Sequence, residues 1–481
     1  MTEYKLFLAG RWTDTVSGEV IDDINPADGS VCAKVHTAGP AEVEAAIAAA
    51  VEAQPKWAAM LPEERERVLL RAADHMEKNL ERYAAMLIDE SGSTFMKAMD
   101  EVAQTVNIVR SAAAECRREY GGVIHTDAQG DFSYWYRQPL GVVAGIGPFN
   151  YPLLLCATKV FLGLAAGNAF LLKPSSDTPL CAVIMGECLE AGGLPEGVFS
   201  GLPGSTQNVG ETLVADERIR KITFTGSTAV GTAIAKKAAA KLKKYTLEMG
   251  GKNPSIVLAD FDVDKAVDIV LFGAYFHQGQ ICMANSRVIV EAPIYDEFCE
   301  KLTARVKALR MGDPHDPLTI IGPLINAKQC LIIDEQIADA VKKGARLLCG
   351  GTHEGNYYTP SLLVDVTPDM TIFYEESFGP ITSVIKAADA EDALRLCNDN
   401  KYGLSSALLT NDLSLAFSMA PRIEAGMVHI NDSTVMGARS APFGGVKMSG
   451  TGREGANFSI EEFTETKWVT VRYADRGFPP M

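Results

Sequence analysis

Three separated stretches of the sequence carry side chains able to act on a carbonyl group. The first contains Cys282, in GQICMAN (279–285), where small and uncharged neighbours leave room for a carbonyl compound to approach the sulfur. A cysteine in such a setting is a candidate nucleophile, although a single cysteine is more often a buried core residue. On Cys282 alone we favour the core residue.

The second stretch is LEMGGKNP (247–254), in which Glu248 precedes a glycine pair and a β-prone run. A carboxylate beside flexible glycines can act as a general base toward a bound water molecule. A solvated glutamate in a glycine turn is the alternative. These residues by themselves leave both interpretations open.

The third stretch is GPFNYPLLL (147–155), between a predicted strand and a predicted helix. The side-chain amide of Asn150 could donate to a developing oxyanion. It could instead cap the following helix, which is the interpretation that the local sequence favours.

Composition limits the class of protein that positions these residues. The chain has 481 residues, 47% hydrophobic and 22% charged, so two or three domains with sizeable cores are expected. The net charge of −16 disfavours binding to nucleic acid or to an anionic membrane, so small molecules are the expected partners. The apolar run near the amino terminus is too short for a signal peptide, and residues 160–172 are too few for a bilayer span.

The cysteine and histidine patterns indicate a reducing compartment without a metal site. The ten cysteines show no paired spacing, which predicts free thiols and a cytoplasmic protein. The seven histidines show no HxxxH or HExxH spacing, so we assign no metal.

Periodicity predicts an α/β fold. Apolar residues at helical intervals predict helices over 40–57 and 62–91. From residue 140 onward, short β-rich runs alternate with alanine-rich helical segments, a pattern typical of βαβ units and a parallel sheet. The same alternation returns after residue 286 and predicts a second α/β domain. Two aromatic stretches, 132–139 and 466–473, are β-prone and could pair between subunits as edge strands.

Taken together, the motifs resemble those of the NAD(P)-dependent aldehyde dehydrogenases. The similarity runs nearly end to end and in order through PFNYP (148–152), LLKPS (171–175), FTGSTAVG (224–231), LEMGGKNP, GQICM, EESFGP (375–380) and PFGGVKMSG (442–450). The resemblance implies a Rossmann-like parallel-sheet cofactor domain, a second α/β catalytic domain and a small β oligomerisation hairpin. The cofactor domain is expected to comprise residues 1–118 and 139–250, the catalytic domain residues 251–440, and the oligomerisation hairpin residues 119–138 and 462–481. A homodimer or homotetramer is expected.

The resemblance also implies catalytic roles for the three candidate residues. Cys282 would attack the aldehyde, and the Asn150 side chain with the Cys282 backbone N–H would hold the oxyanion. After hydride transfer, Glu248 would activate the water that hydrolyses the thioester, so hydrolysis is favoured over acyl transfer to coenzyme A.

A larger set of residues is implied to bind the cofactor. Lys173 would bond the adenosine ribose, Gly226 and Ser227 would lie beside the diphosphate at a helix N-terminus, and Glu376 and Phe378 would position the nicotinamide riboside. The full set is Ile146, Pro148, Phe149, Lys173, Ser175, Ser176, Gly204, Phe224, Gly226, Ser227, Val230, Gly231, Met249, Glu376 and Phe378. Ser176 stands where many NAD-preferring relatives carry a glutamate, so we expect NAD, or both NAD and NADP, as cofactor.

The substrate cavity is implied by position and is largely apolar. Its predicted lining is Tyr151, Leu155, Thr158, Ile281, Met283, Val435 and Phe443. The segment 426–435 is similar to the benzaldehyde, salicylaldehyde and vanillin dehydrogenase branch, which favours an aromatic aldehyde over an aliphatic aldehyde or a semialdehyde. Arg439, in a stretch that departs from that branch, could meet an acidic substituent, but we favour a solvated surface arginine.

Three competing interpretations have less support. His277, close to Cys282, could make a Cys-His hydrolase, but the cofactor motifs would then be unexplained. A non-catalytic binding protein on the same scaffold would be expected to lack Cys282 or Glu248. The GxGxxG spacing in SGTGREG (449–455) follows no strand signal, so we interpret it as a loop or turn.

Overall fold

A computed structural model describes residues 2–118, 120–127, 129–475, 477–478 and 481. Residues 119, 128, 476, 479 and 480 of the predicted oligomerisation segments, and Met1 of the first domain, lie outside the described residues.

The chain alternates strands and helices along most of its length. In chain order the strands are β1 (Thr2–Tyr4), β2 (Leu6–Leu8), β3 (Arg11–Thr13), β4 (Val20–Ile24), β5 (Val31–His36), β6 (Gly121–Ile124), β7 (Asp131–Pro139), β8 (Val142–Ile146), β9 (Ala169–Lys173), β10 (Phe199–Gly201), β11 (Ile219–Gly226), β12 (Lys244–Met249), β13 (Asn253–Val257), β14 (Asn285–Glu291), β15 (Arg346–Cys349), β16 (His353–Glu354), β17 (Tyr357–Tyr358), β18 (Ser361–Val364), β19 (Ile381–Ala387), β20 (Ser405–Leu409), β21 (Met427–Ile430), β22 (Gly450–Thr451) and β23 (Thr464–Arg472). The α-helices are α1 (Pro40–Ala59), α2 (Pro62–Lys78), α3 (Leu80–Ser91), α4 (Phe95–Glu115), α5 (Pro152–Ala165), α6 (Leu180–Gly192), α7 (Glu211–Ala215), α8 (Thr228–Ala239), α9 (Val263–Tyr275), α10 (Tyr295–Lys307), α11 (Ala327–Lys342), α12 (Thr371–Tyr374), α13 (Ala390–Asn398), α14 (Leu413–Met419) and α15 (Ala456–Glu462).

The first sheet has the order β22-β12-β11-β8-β9-β10-β2-β3, and its five central strands, β12 to β10, are parallel. Side chains alternate between its faces, as the pleat requires. Val143 and Phe170 join the apolar cluster formed with α2 to α6, whereas Ala144 and Leu171 join the cluster on the opposite face with α1. Helices therefore cover both faces, as a buried parallel sheet needs.

The second sheet has the order β15-β18-β19-β14-β13-β20-β21 and is parallel except for β15. Ile256 and Ile289 face one apolar cluster, and Val257 and Val288 face another. Two mainly parallel sheets, each covered on both faces, confirm the predicted fold class. The predicted domain limits remain a prediction.

The aromatic stretches form a third sheet, in the order β23-β7-β6. Here β7 pairs with β23 along its whole length and with β6 on its other side, so β7 is not an edge strand. The prediction that both stretches are edges is wrong for β7, because residues 121–124 supply a further strand. The free edges of this sheet belong to β6 and β23.

Two helix predictions need correction. The segment 62–91 is not one helix, because the backbone leaves helical geometry at Asn79 (φ −107°, ψ 17°), which separates α2 from α3. Helix α4 was not predicted, although its apolar residues belong to the cluster formed with α2 to α6. Among the described residues, every helix is too short or too polar to traverse a bilayer.

Candidate active site

Neighbouring strand ends of the first sheet bring several predicted residues side by side. Ile146 at the end of β8 is in register with Lys173 of β9 on one side and with Phe224 of β11 on the other. On the next strand, Glu248 is paired with Thr225 and Met249 with Gly226. The carboxyl ends of parallel strands meet at one edge, which is where open α/β sheets bind ligands.

Cys282 lies on a short loop between a 3₁₀ turn, Phe276–Gly279, and β14. The loop is anchored on both sides of the cysteine. Gln278, in a left-handed conformation (φ 54°), donates through its side chain to the carbonyl oxygens of Gly92 (3.0 Å) and Pro323 (3.1 Å). The side chain of Asn253 donates to the carbonyl oxygen of Cys282 at 2.8 Å. The loop is thus held by distant elements, and Cys282 itself is partly exposed rather than sealed in a core.

Asn150 is buried and directed toward the cysteine loop. Its side-chain nitrogen donates to the carbonyl oxygen of Gln280 at 2.9 Å. The residue at the N-cap position of α5 is Tyr151, which makes no side-chain capping bond, so the helix-cap interpretation of Asn150 is wrong. One amide hydrogen is used in this bond, and the second remains for another acceptor.

A buried ion pair on α4 supports the Asn150 loop. Lys97 and Glu101 form a salt bridge one helical turn apart, and both side chains are fully buried. The Lys97 ammonium also donates to the carbonyl oxygen of Asn150 at 2.8 Å. One Glu101 oxygen accepts the backbone N–H groups of Leu153 (2.9 Å) and Leu154 (3.1 Å), which satisfies the first turn of α5.

Glu248 is only 3% exposed, and neither of its carboxylate oxygens has a hydrogen-bond partner in the described part of the chain. The interpretation as a solvated turn residue is therefore wrong. Burial raises the pKa of Glu248 well above its usual range, and the nearby charge of Glu454 adds to the effect. The carboxylate lies against Gly444, where an added Cβ would come within 2.7 Å of it. Gly450 of SGTGREG lies in β22 and pairs with Glu248 of β12. The segment predicted to be a loop or turn therefore contains a two-residue strand.

Burial also raises the pKa of the Cys282 thiol, to about 12, with the charges of Glu376 and Glu248 contributing. A thiol with this pKa is protonated at neutral pH, and its reaction as a thiolate requires a base or a bound charge to lower the pKa. The influence of both carboxylates places them within electrostatic reach of the sulfur.

The glycines of FTGSTAVG make a close-packed turn at the start of α8. A Cβ at Gly226 would approach the ring of Phe224 to 2.6 Å, and one at Gly231 would approach the sulfur of Met249 to 2.3 Å. Ser227 caps α8 by accepting from the backbone N–H of Val230 at 3.4 Å. This turn therefore brings together Ser227 and five other predicted cofactor residues: Phe224, Gly226, Val230, Gly231 and Met249. It also places the N-terminus of α8 at the carboxyl ends of the strands.

The remaining predicted cofactor residues form two groups. Beside the end of β9, Lys173 is buried and its ammonium donates to the carbonyl oxygen of Pro174 at 3.1 Å, while burial lowers its pKa. Ser175 accepts from the backbone N–H of Asp177, Ser176 is exposed, and Gly204 (φ 156°) packs against the Ala38 carbonyl. Ile146 and Pro148 are half-buried.

The second group joins the two sheets near the cysteine. One Glu376 oxygen accepts the backbone N–H of Gly251 at 3.1 Å, and burial raises the pKa of Glu376 to about 7. Phe378 (φ 51°) meets Phe149 edge to face, with ring centroids 5.6 Å apart. Cofactor residues predicted from distant motifs are thus in contact.

A cavity of about 500 Å³ opens onto the cysteine. Cys282 and Asn150 both line it, and so does each predicted substrate residue: Tyr151, Leu155, Thr158, Ile281, Met283, Val435 and Phe443. Glu248 does not line it. The nucleophile and the oxyanion donor thus share one chamber, and the carboxylate lies outside its wall.

Part of the cavity lining was not predicted from the sequence. Helix α4 contributes Met96, Asp100, Gln104 and Ile108, at intervals of four residues that place them on one helical face. Two of the four, Asp100 and Gln104, are polar, so no apolar period in the sequence indicated this face. Phe272 and Phe276, stacked with centroids 5.0 Å apart, also line the cavity. Arg439 is half-buried in the lining, so its interpretation as a solvated surface residue is wrong.

His277 is fully buried, and burial lowers its pKa well below the usual range. Its ring meets Tyr151 edge to face at 5.4 Å, and neither ring nitrogen has a hydrogen-bond partner among the residues described. A neutral, sealed imidazole offers no support for a Cys-His hydrolase. Within the described ranges, no group of three or more His, Cys, Asp or Glu side chains is arranged to hold a metal ion.

Comparison with known proteins agrees with this geometry. The model of the aldehyde dehydrogenase family matches residues 12–469. The chain is 39% identical over 485 residues to vanillin dehydrogenase of Pseudomonas fluorescens, covering 100% of both chains, and 38% identical over 476 residues to benzaldehyde dehydrogenase YfmT of Bacillus subtilis, covering 99% of this chain and 98% of the other. A crystal structure of a salicylaldehyde dehydrogenase from Pseudomonas putida G7 complexed with salicylaldehyde superposes on the chain with a TM-score of 0.97, at 36% identity and 100% coverage of both chains.

The chain therefore belongs to the aldehyde dehydrogenase family. Membership confirms the predicted family and oxidoreductase activity, a small-molecule aldehyde as substrate, and NAD(P) as cofactor.

Proposed function

We propose that this enzyme oxidises an aromatic aldehyde to the carboxylic acid, with NAD as the preferred cofactor and NADP accepted. The observation that carries the proposal is the cavity that holds both Cys282 and Asn150. Its wall includes the aromatic rings of Tyr151, Phe272 and Phe443. Aromatic walls favour an aromatic ligand through edge-to-face and offset contacts. The names of the vanillin and benzaldehyde dehydrogenases to which the chain is similar support the same substrate class.

The chain's own residues fit a dinucleotide. The turn at Gly226 and Gly231 has no room for a Cβ, so backbone N–H groups of α8 can approach a phosphate closely. Lys173 would hold the adenosine ribose, with Ser175, Ser176 and Gly204 around it, and Glu376 with Phe378 would hold the nicotinamide end. The bound nicotinamide supplies the acceptor for the hydride.

In the reaction we assign, the Cys282 thiol loses its proton to solvent water, its sulfur bonds to the aldehyde carbon, and the carbonyl electron pair moves to the oxygen. The free Asn150 amide hydrogen and the Cys282 backbone N–H donate to this oxyanion. Loss of hydride leaves a thioester on Cys282. The Glu248 carboxylate, which is buried with a raised pKa and no hydrogen-bond partner among the described residues, accepts a proton from a water molecule as the water oxygen attacks the thioester. The C–S bond then breaks, the acid is released, and the proton passes from Glu248 to the departing Cys282 sulfur.

Steady-state rates over an aldehyde panel test this function. Benzaldehyde and vanillin should give higher kcat/KM than hexanal and pentanal, and NAD should give at least as high a rate as NADP. Cys282→Ala should abolish reduction of either cofactor. Higher kcat/KM for every aliphatic aldehyde would refute the aromatic assignment, and NADP-exclusive turnover would refute the cofactor preference.

We also propose that the chain works in the cytoplasm as a homodimer or homotetramer. In this proposal the cofactor domain comprises residues 1–118 and 139–250, and the catalytic domain, residues 251–440, carries Cys282. The hairpin segments 119–138 and 462–481 make the subunit contact. All ten cysteines are free, which suits a reducing compartment. Large apolar side chains lie exposed on the third sheet, Val123 (73%) and Trp468 (67%) among them. Light scattering that gave a monomer would contradict the assembly.

A further inference from the structure

Arg439 brings an uncompensated positive charge into the substrate cavity. It lies on the loop of residues 436–442, opposite the cavity face of α4. Its guanidinium donates to the side-chain oxygen of Gln104, and its Nε is buried without a hydrogen-bond partner in the described chain. A buried guanidinium N–H that lacks an acceptor costs free energy until a ligand supplies one.

The partner of Arg439 is neutral and is held in a fixed orientation. The side-chain nitrogen of Gln104 donates to a carboxylate oxygen of Asp100 at 3.1 Å, which turns the amide oxygen toward Arg439. Asp100 is itself exposed to solvent, so its charge is hydrated. The other carboxylate in the lining, Glu454, forms a salt bridge with the fully buried Lys159. No salt bridge to Arg439 is formed by the residues that the structure describes.

We infer that Arg439 binds an anionic substituent, a carboxylate, on the substrate aldehyde. A guanidinium matches a carboxylate geometrically and donates to both of its oxygens. The other cavity walls are largely apolar, so a charged substituent would be attracted to this one position while the ring packs on aromatic side chains. The inference rests on the proposed function, in that we expect the carboxylate on an aromatic ring, as in a formylbenzoate.

The test compares acids with their neutral esters. For each isomer of formylbenzoate and its methyl ester, kcat/KM is measured with the wild-type enzyme, Arg439→Gln and Arg439→Lys. Wild type should favour the best formylbenzoate over its ester. Loss of a charge-assisted hydrogen bond should lower that acid-to-ester ratio by about 10- to 100-fold in Arg439→Gln, and by less in Arg439→Lys.

A matched control is Arg395→Gln, which removes an exposed arginine of α13 that pairs with Asp392. It should leave the acid-to-ester ratio unchanged, because α13 does not border the cavity. A wild-type preference for the ester in every isomer, or the same ratio in Arg439→Gln as in wild type, would overturn the inference.

An aliphatic pair separates this inference from the proposed function. Glutarate semialdehyde and pentanal differ mainly by the terminal carboxylate. If the semialdehyde exceeds every aromatic aldehyde in kcat/KM, and its advantage over pentanal falls in Arg439→Gln, then Arg439 is the carboxylate site and the aromatic assignment is wrong. If benzaldehyde is a good substrate but no acid is favoured over its neutral counterpart, the aromatic assignment stands and the role of Arg439 is refuted.

Discussion

The side chain of Asn150 donates a 2.9 Å hydrogen bond to the backbone carbonyl of Gln280, two residues before Cys282. This bond ties the start of α5 in the first sheet's layer to the loop that precedes β14 in the second. It also fixes the Asn150 amide, so that the remaining hydrogen has a defined direction. Oxyanion stabilisation depends on such preorganisation, because the donor need not reorient as charge develops.

Asn150→Ala should therefore lower kcat by about 10²- to 10³-fold, the loss typical of a removed oxyanion donor. Steady-state reduction of NAD with benzaldehyde measures it. Asn107→Ala is the control, since Asn107 is an exposed asparagine of α4 whose side chain donates to the Ala103 carbonyl of the same helix. A kcat of Asn150→Ala equal to that of the control would exclude Asn150 as the donor.

The three candidate catalytic residues could be predicted because each lies in a motif of its own. Local sequence alone misjudged Asn150 and left Glu248 open, and the resemblance to a family was needed to group them with Cys282. The physical reason is that their proximity depends on contacts between distant segments, such as Asn150 with Gln280 and Asn253 with the Cys282 carbonyl. No spacing within a short window reports such contacts.

The burial of charged residues on α4 and the position of Arg439 could not be predicted from the sequence. The polar residues of α4 interrupt its apolar pattern, because Lys97 and Glu101 are buried as an ion pair instead of being solvated. Charged residues usually indicate a solvent-facing side, so burial of this pair is invisible in the sequence. Arg439 was predicted to be solvated because its partial burial depends on α4, which is distant in the sequence and lies opposite it in the cavity.

The ion pair predicts a stability effect. Lys97→Met leaves the Glu101 charge buried without its counter-ion, which should destabilise the enzyme by about 3–5 kcal/mol. In the double variant Lys97→Met/Glu101→Gln the charge is gone, while an oxygen remains to accept from the first turn of α5. Thermal midpoints should therefore rank wild type first, the double variant next and Lys97→Met last. A double variant no more stable than the single one would contradict the assignment.

The raised pKa of Cys282 predicts slow alkylation of the cofactor-free enzyme at neutral pH. Burial favours the neutral thiol, so the thiolate fraction at any pH below about 12 is smaller than that of an ordinary cysteine, and it grows as pH rises. The rate of iodoacetamide labelling at Cys282, followed by peptide mass spectrometry, should rise steadily from pH 7 to pH 10. A plateau between pH 7 and pH 8 would show instead that the thiol is already ionised there.

The small space at Gly250 predicts that a larger residue there weakens cofactor binding. A Cβ at this position would lie 2.2 Å from one carboxylate oxygen of Glu376 and 2.7 Å from the other, so Gly250→Ala must displace the Glu376 side chain. Loss of the Glu376 hydrogen bond to the cofactor, about 1.5–3 kcal/mol for a charged acceptor, corresponds to roughly 10- to 150-fold weaker binding of NAD, measurable by calorimetry. In Gly312→Ala the nearest atom would be 3.5 Å away, so this variant should bind NAD normally. Equal affinities in the two variants would argue against Glu376 as a cofactor ligand.

Glu248→Gln should separate acylation of Cys282 from hydrolysis of the resulting thioester. The substitution keeps the shape of the side chain but removes the base, so thioester hydrolysis should slow by about 10²- to 10⁴-fold, while attack by Cys282 and hydride loss still occur once per site. Rapid mixing with NAD and benzaldehyde should then give a burst of reduced cofactor followed by slow turnover. Intact mass spectrometry should find the benzoyl group on the protein, and peptide mapping should place it at Cys282.

Glu375→Gln is the matched control, because the Glu375 side chain is 47% exposed, pairs with Lys401 and does not line the cavity. It should show neither the slow steady state nor the acyl adduct. Wild-type turnover without an adduct in Glu248→Gln would mean that another group activates the water. Glu376, the other carboxylate whose charge raises the pKa of the Cys282 thiol, would then be the next residue to substitute.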